Sequence, residues 1–309
     1  MPVELSIVIV SYNVKELLRD CLNSIGQQTN EEWKLEIIVV DNASNDGSVE
    51  MVKERFPSAR IISNKVNIGF SAANNEGMRI STGKFIFLLN PDTLVKQDTI
   101  RKLISFSKEQ SGLFMIGPRL ENSDGSLQIS AWKQPGIGNV IAEAFFLHRL
   151  FGVSEYPKEK FSNIFSPAMI SGAAMFFPHE LFEKIGGLDV NLFWMEDADF
   201  SRRVSEAGGT ITYFPTAIVT HLSGQSSRKN LKVTISNQLL SKLKYIRKYS
   251  GVLGMIVASV FCFIQILSRI LLFFLLSPLS RNYREKLAAY AWTFGKFFSY
   301  LFANDKRVT

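Results

Sequence analysis

Cysteine occurs only twice in the 309 residues, at Cys21 and Cys262, so no disulfide framework holds this chain together and the sequence predicts a reducing compartment. Two phosphate-cradling patterns are also missing. Neither G-x-G-x-x-G nor G-x-x-x-x-G-K-[ST] occurs, which disfavours a nicotinamide dehydrogenase or a P-loop enzyme. A bound diphosphate would need its charge neutralised in another way, and a metal is the obvious candidate. The N-terminus, MPVELSIVIV, has no basic residues ahead of its apolar run, so no secretory leader is expected. Histidine is scarce as well, with three residues in all.

What is abundant is apolar. Hydrophobic residues make up 46% of the chain against 20% charged, enough to bury a sizeable core and far from a disordered composition. Phe alone supplies 25 residues. The net charge of +7 is unevenly placed. Residues 241–309 hold 11 Lys/Arg against Glu285 and Asp305, a local +9, while residues 1–240 hold 24 against 26, a net of −2. A basic, apolar, Phe-rich tail points to an anionic membrane surface rather than to nucleic acid. Gly251–Ser268 is an uncharged run of 18 residues, broken by Arg269 and resumed over Ile270–Leu276. Lys/Arg on both sides of it oppose a single crossing and fit a monotopic or re-entrant hairpin. A buried helical subdomain or an oligomer interface is the competing reading. The division expected is a catalytic domain over 1–240 and a membrane-associating helical tail over 241–309.

The first ninety residues alternate apolar strands with helical patterns. Leu5–Val10, Glu36–Val40, Arg60–Ser63 and Phe85–Leu89 read as strands, and helices are expected over Val14–Gln27, Ser48–Phe56 and Ser71–Ser81. Asn13 reads as the N-cap of the first helix. Continuous apolar strands separated by helices predict an α/β, doubly wound, mostly parallel sheet, which binds ligands at the carboxyl ends of its strands. Those ends read Ser11-Tyr12-Asn13, Asp41-Asn42, Asn64 with Asn67, and Asn90-Pro91-Asp92. At one strand end Asn or Asp is ordinary turn chemistry. At four together they indicate a ligand crevice.

Three further features carry chemistry. Asp92, following a buried-looking strand, suits a hard cation such as Mg²⁺ or Mn²⁺, although N-P-D-T also reads as a simple turn. In Trp194-Met195-Glu196-Asp197-Ala198-Asp199-Phe200 three carboxylates in four positions repel one another unless offset. One or two of them can serve a helix start, and an inward-facing Asp beside aromatic residues would have a raised pKa suited to general-base work. His221 lies just past another apolar, strand-like run, Ile211–Phe214, and precedes Ser223–Ser227 and then Arg228-Lys229. It reads either as structural or as a metal ligand, with the two cations available to a leaving phosphate.

Taken in order, Ile7–Asn13, Val39–Ser48, Asn67–Asn74, Leu88–Thr93 and Gly186–Asp189 followed by Met195–Phe200 resemble a family 2 glycosyltransferase of GT-A fold, nearest its bacterial rhamnosyltransferase-like branch. The resemblance runs over roughly residues 3–225. It implies that Ser11, Tyr12, Asn13, Asp41, Asn67 and Asn90 face the nucleotide sugar, with Tyr12 and Asp41 at the base. It further implies that Asp92 and His221 bind a divalent metal, Mg²⁺ or Mn²⁺, that Asp197 is the catalytic base, and that Trp194 and Glu196 lie on the acceptor side. The first D-x-D position is Asn90, one negative charge fewer than the family pattern. The implied partners are a nucleoside-diphosphate sugar, dTDP-rhamnose or a UDP-sugar, and a lipid-linked glycan acceptor in surface-polysaccharide assembly, met at the cytoplasmic face of the cell membrane. Two rivals share parts of this pattern. A sugar-nucleotide nucleotidyltransferase would need a basic, glycine-rich segment near the first strand, which Val10–Lys15 does not offer. A non-catalytic nucleotide-sugar-binding module would have no need of Asp92, Asp197 and His221 together.

Overall fold

The computed structural model describes residues 2–28, 33–222 and 231–302. The loop after His221, with Arg228 and Lys229, lies outside the described residues. In chain order the first part contains β1 (Val3–Ser11), α1 (Lys15–Gly26), β2 (Lys34–Asp41), α2 (Ser48–Arg55), β3 (Arg60–Ser63), α3 (Phe70–Ile80), β4 (Phe85–Leu89), β5 (Thr93–Val95), α4 (Thr99–Ser107), β6 (Phe114–Glu121), β7 (Leu127–Gln128) and β8 (Ala131–Trp132). There follow α5 (Ile137–Ala144), α6 (Leu147–Phe151), β9 (Met169–Ile170), β10 (Ala174–Pro178), α7 (His179–Ile185), α8 (Glu196–Glu206), β11 (Thr210–His221), α9 (Leu231–Leu276) and α10 (Arg281–Phe302).

The main sheet runs β3-β2-β1-β4-β10-β6-β11-β5, with β7 paired to β6. The β3-β2-β1-β4 half is parallel, as the alternating pattern predicts, and β10 runs antiparallel between β4 and β6. Pleating explains why the strands are apolar throughout. Leu5, Ile7 and Ile9 pack on one face with Leu18 and Leu22 of α1, while Val8 and Val10 pack on the other with Ala73 and Met78 of α3. Gly77 lets α3 lie against that face, since a Cβ there would sit 2.4 Å from Val8 Cγ1. The small residues near it therefore serve helix–sheet packing. Both cysteines are buried and free.

Two details differ from expectation. Asn13 does not cap α1: it is in the left-handed region (φ 52), and its carboxamide accepts from Asn45 N at 2.8 Å instead. The orphan Lys15 N–H is taken by Asp46 Oδ2 at 2.8 Å, so the β2–α2 loop caps the helix from a distance in sequence. The strand-like run Ile211–Phe214 extends into a twelve-residue strand that ends on His221 itself.

The chain forms two compact units. One comprises Met1–Gln134, Glu155–Val190 and Glu196–Ser223 and holds the sheet. The other comprises Pro135–Ser154, Asn191–Met195 and Gly224–Thr309 and is helical. Residue 240, the expected domain edge, falls inside α9, which bends only at Gly251 (φ 67). The stretch 134–165, aperiodic in sequence, folds as α5, α6 and a short 3₁₀ turn over Lys158–Ser162.

Candidate active site

The carboxyl ends of β1 and β2 meet in register, Ser11 opposite Asp41. Ser11 is fully buried and Asp41 nearly so, yet Ser11 Oγ and Asp41 Oδ1 have no hydrogen-bond partner among the described residues. The other Asp41 oxygen accepts from Ser44 N at 2.9 Å, and Ser44 Oγ accepts from Asn13 N at 3.0 Å, which fixes the carboxylate and the turn beside it. Tyr12 stands 46% exposed next to this pair. A buried acceptor without a donor is costly unless something else fills it. Asn67 is built into the adjoining loop: its Oδ1 accepts from Asn42 Nδ2 at 2.8 Å and from Gly69 N at 3.0 Å. Asn42 Oδ1 in turn accepts from Ile68 N at 3.0 Å. Asn67 therefore shapes the loop with its carbonyl oxygen.

At the end of β4, Asn90 N–H donates to Ala173 O at 2.9 Å, and Asn90 Oδ1 is a third buried oxygen without a partner among the described residues. Two residues on, Asp92 faces His221. β11 pairs antiparallel with β5, Leu222 N–H donates to Asp92 O at 2.9 Å, and His221 Nε2 lies 3.3 Å from Asp92 Oδ1. Both side chains are 14% exposed. The sheet thus brings together two residues 129 positions apart that the sequence singled out separately.

The orientation of His221 is set by Gln128, a residue that sequence reasoning missed. Gln128 Nε2 donates to Asn122 Oδ1 at 2.9 Å and to His221 O at 3.3 Å, so its Oε1 is the atom left facing the imidazole. That oxygen lies 2.7 Å from His221 Nδ1, which must therefore carry the proton. Nε2 then presents its lone pair toward a carboxylate at 3.3 Å. Two such acceptors face each other favourably only across a cation, or a second proton. The donor set of one carboxylate and one imidazole fits a divalent ion whose remaining ligands come from outside the chain. Among the described residues no cluster of three His, Cys, Asp or Glu exists that could hold a metal without such help.

Asp197 sits in the first turn of α8. Its Oδ1 accepts from Ala198 N at 2.8 Å, and its Oδ2 from Gly172 N at 3.3 Å. Gly172 adjoins Ala173, which holds Asn90, so the α8 start and the β4 end share one short turn. Burial pushes the Asp197 carboxyl up to about 6 despite these two N–H donors. The neighbouring carboxylates have other settings. Asp199 is fully buried and paired with Arg203 Nε at 2.8 Å, while Glu196 opens the helix half-buried. Arg203 also donates to Ile185 O at 2.8 Å and Gly187 O at 2.6 Å. From the other side, Asn75 of α3 brackets Leu188, donating to its carbonyl and accepting from its N–H, each at 2.8 Å. A Cβ at Gly187 would lie 2.1 Å from Asn75 Oδ1. The Gly186–Asp189 motif is thus a clasp that sets where α8, and with it Asp197, begins.

Phe193 and Trp194 belong to the helical unit. Their rings meet edge to face at 6.1 Å, both are more than a third exposed, and Trp194 is in the left-handed region (φ 75). Phe193 N–H donates to Ser241 Oγ at 3.0 Å, and Lys244 Nζ to Asn191 O at 3.2 Å, so α9 braces this loop.

Known proteins share both sequence and fold. Residues 6–186 match the family model "Glycosyl transferase family 2". Over 242 residues the chain is 26% identical to an N-acetylglucosaminyl-diphospho-decaprenol L-rhamnosyltransferase of Mycobacterium tuberculosis, covering 73% of this chain and 78% of that one. It is 24% identical over 240 residues to the glycosyltransferase AglE of Haloferax volcanii, covering 74% and 71%. Among solved structures, a mannosyltransferase from Pyrobaculum calidifontis, in complex with GDP-Man and Mn²⁺, superposes with a TM-score of 0.56 at 17% identity, over 98% of this chain and 90% of that one. GalNAc-T7, solved with UDP, GalNAc and Mn²⁺, gives 0.55 at 17% identity, over 71% and 43%. With more than half its length matched by the family model and its sheet shared with those transferases, the chain has the GT-A fold and belongs to glycosyl transferase family 2, among its rhamnosyltransferase-like members.

Proposed function

We propose that the protein is an inverting, divalent-metal-dependent glycosyltransferase. In this reading it moves a sugar from dTDP-rhamnose or a UDP-sugar to a hydroxyl of a lipid-linked glycan, in cell-surface polysaccharide assembly at the cytoplasmic face of the cell membrane. The observation that carries the reading is the row of neighbouring strand ends: the buried oxygens of Ser11, Asp41 and Asn90 that have no partner among the described residues, the Asp92–His221 pair, and Asp197 joined to the end of β4 through Gly172 and Ala173.

Each residue then has one task. Asp41 Oδ1 accepts the imide N–H that uracil and thymine both present, and exposed Tyr12 stacks on the base. Asp92 Oδ1 and His221 Nε2 would hold Mg²⁺ or Mn²⁺, which would supply positive charge to offset that of a departing diphosphate. Asp197, in its carboxylate form, takes the acceptor hydroxyl proton. The freed oxygen forms its bond to the anomeric carbon on the face opposite the breaking bond to the diphosphate, and the configuration inverts. Asn90, in place of a carboxylate, contributes its unpaired Oδ1 as an acceptor for a sugar or ribose hydroxyl. The lipid-linked acceptor rests on the Mycobacterium relative, whose name specifies such a substrate, and on the apolar tail.

The test is transfer to a polyprenyl-diphosphate-linked sugar, assayed with a panel of dTDP- and UDP-sugars and with or without chelator. Transfer with one donor, lost on chelation and restored by Mn²⁺, is expected. Undiminished turnover in chelator would refute the metal-assisted mechanism, and donor binding without any turnover would leave only a binding module.

A further inference from the structure

The second half of α9, from Val252 to Leu276, is arranged inside out. Projected at about 100° per residue, Leu253, Ile256, Val260, Leu267, Leu271 and Phe274 fall within about 60° of one another. These six are between 42% and 75% exposed. On the opposite side lie Gly254, Ala258, Ser259, Cys262, Ile266 and Arg269, all buried. A helix of a water-soluble domain keeps its large apolar side chains inside and its small or polar ones out. Here the small and polar residues make the packed face and the large apolar ones stand bare, the partition found where the surrounding solvent is lipid.

Arg269, which breaks the apolar run in the sequence, fits this arrangement. It is 5% exposed and turned inward. Its guanidinium donates to Glu143 O at 2.6 Å and Ala144 O at 3.3 Å, the last carbonyls of α5, and lies 3.3 Å from the centre of the Phe146 ring. Lys242 is likewise paired with Glu143. Neither charge reaches the bare face. Phe145, half exposed, meets Phe261 edge to face at 6.1 Å and extends the apolar surface beyond α9.

The stripe from Leu253 to Phe274 is about 32 Å long at 1.5 Å per residue, and length alone would let α9 cross a bilayer. Its partner helix decides the matter. α10 lies antiparallel along α9, with Phe263 against Phe297 at 6.4 Å and Phe273 against Tyr283 at 6.1 Å. If α9 crossed, α10 would have to cross beside it. Yet the longest uncharged stretch of α10 between charges is Leu287–Gly295, bounded by Lys286 and Lys296. Nine residues reach about 14 Å, half a hydrocarbon core. Arg281, Arg284, Glu285 and Lys296 all stand on its exposed side, with Trp292 beside Lys296.

We propose that the α9–α10 hairpin is a monotopic bilayer-binding face: α9 lies in the plane of an anionic membrane with its bare stripe immersed to one depth, and α10 keeps its charged side at the headgroups. This rests on the membrane association proposed above and specifies its geometry. Described residues 231–302 carry ten Lys/Arg against Glu285 alone, the charge complement of an anionic leaflet.

The test uses the full chain with vesicles of phosphatidylcholine containing or lacking phosphatidylglycerol. Flotation should require the anionic lipid. Leu253→Asp with Leu271→Asp should weaken it at least tenfold, whereas Ala288→Asp on the exposed side of α10 should change it less than twofold, with circular dichroism unchanged in both. Spin labels introduced at positions 253, 260, 267 and 274 should report one common shallow depth from oxygen and nickel-chelate accessibility. Depths that rise to a maximum mid-helix would mean crossing, and would overturn the in-plane geometry while leaving membrane association intact. Failure to float, with a concentration-dependent dimer that the double substitution dissolves, would mean that a second copy covers the stripe, and would overturn both.

Discussion

At the scale of single residues, environment separates carboxylates that look alike in the sequence. Asp197 and Asp199 are two positions apart, and both are acidic residues of the first turn of α8. Asp199 is spoken for by Arg203, whereas Asp197 is held by backbone N–H donors and has a pKa raised to about 6 by burial. Asp197→Asn should leave donor affinity within twofold and lower transfer by about 10² or more, the usual scale for a positioned base. Because the working form is the carboxylate, kcat/KM of the wild type should climb tenfold per pH unit below about 6 and level off above it. A flat profile from pH 5 to 8 would remove Asp197 from the role. Asp199→Asn should instead cost about 3 kcal/mol or more of stability, by leaving Arg203 without its buried partner. Gln128 acts through His221. Gln128→Leu should weaken Mn²⁺ binding, measured by titration in the presence of nucleoside diphosphate, by about 10- to 100-fold. Gln128→Glu should recover most of that loss, since a carboxylate also accepts from Nδ1. Equal losses in both variants would assign Gln128 to the β6–β7 hairpin alone.

Elements show how far the sequence could be read. The strands of the parallel half were legible from continuous apolar runs, because each is covered on both faces and any polar interruption would be buried. Their polar ends were legible as strand termini, and the sheet sets those of β1 and β2 side by side, Ser11 opposite Asp41. Contacts made by short, non-periodic pieces were not. Gln128 lies on a strand of two residues, and its partner His221 is 93 positions away, so no local pattern marks the pair. The sequence makes Asn13 the N-cap of α1, because Asp46, which accepts from Lys15 N–H, arrives from another loop. The Gly186–Asp189 motif was legible as a string, but its mechanical purpose needs Asn75 and Arg203 in space. Asn75→Ala should cost about 1–3 kcal/mol by stranding the Leu188 backbone groups. It should also lower kcat more than it raises donor KM, because the α8 start loosens while the β1–β2 strand ends stay put. An unchanged kcat at reduced Tm would make the clasp purely structural.

For the molecule as a whole, the tail is not a separable appendage. α5, from the middle of the sequence, packs within the helical unit, and its last carbonyls are capped by Arg269. Ending the chain after Tyr249 would remove the bare stripe, but it would also strip Arg269 from the Glu143 and Ala144 carbonyls and from the Phe146 ring. Such a chain should lose vesicle flotation and keep donor hydrolysis. It should also self-associate more strongly than the full chain in detergent, as light scattering would show. A monodisperse truncated protein would mean that α5 is covered well enough without the hairpin.

The in-plane geometry proposed for the stripe would have a kinetic consequence. A chain lying in the plane of a bilayer meets a lipid-linked acceptor by lateral diffusion, so encounters depend on molecules per unit area and not per unit volume. Doubling the total lipid at fixed enzyme and acceptor would then halve the encounter frequency without changing any bulk concentration of either. The saturation constant for the acceptor becomes a mole fraction of the membrane. A nucleotide sugar arriving from water would keep an ordinary molar one, and the two proposed substrates would be governed by geometries of different dimension.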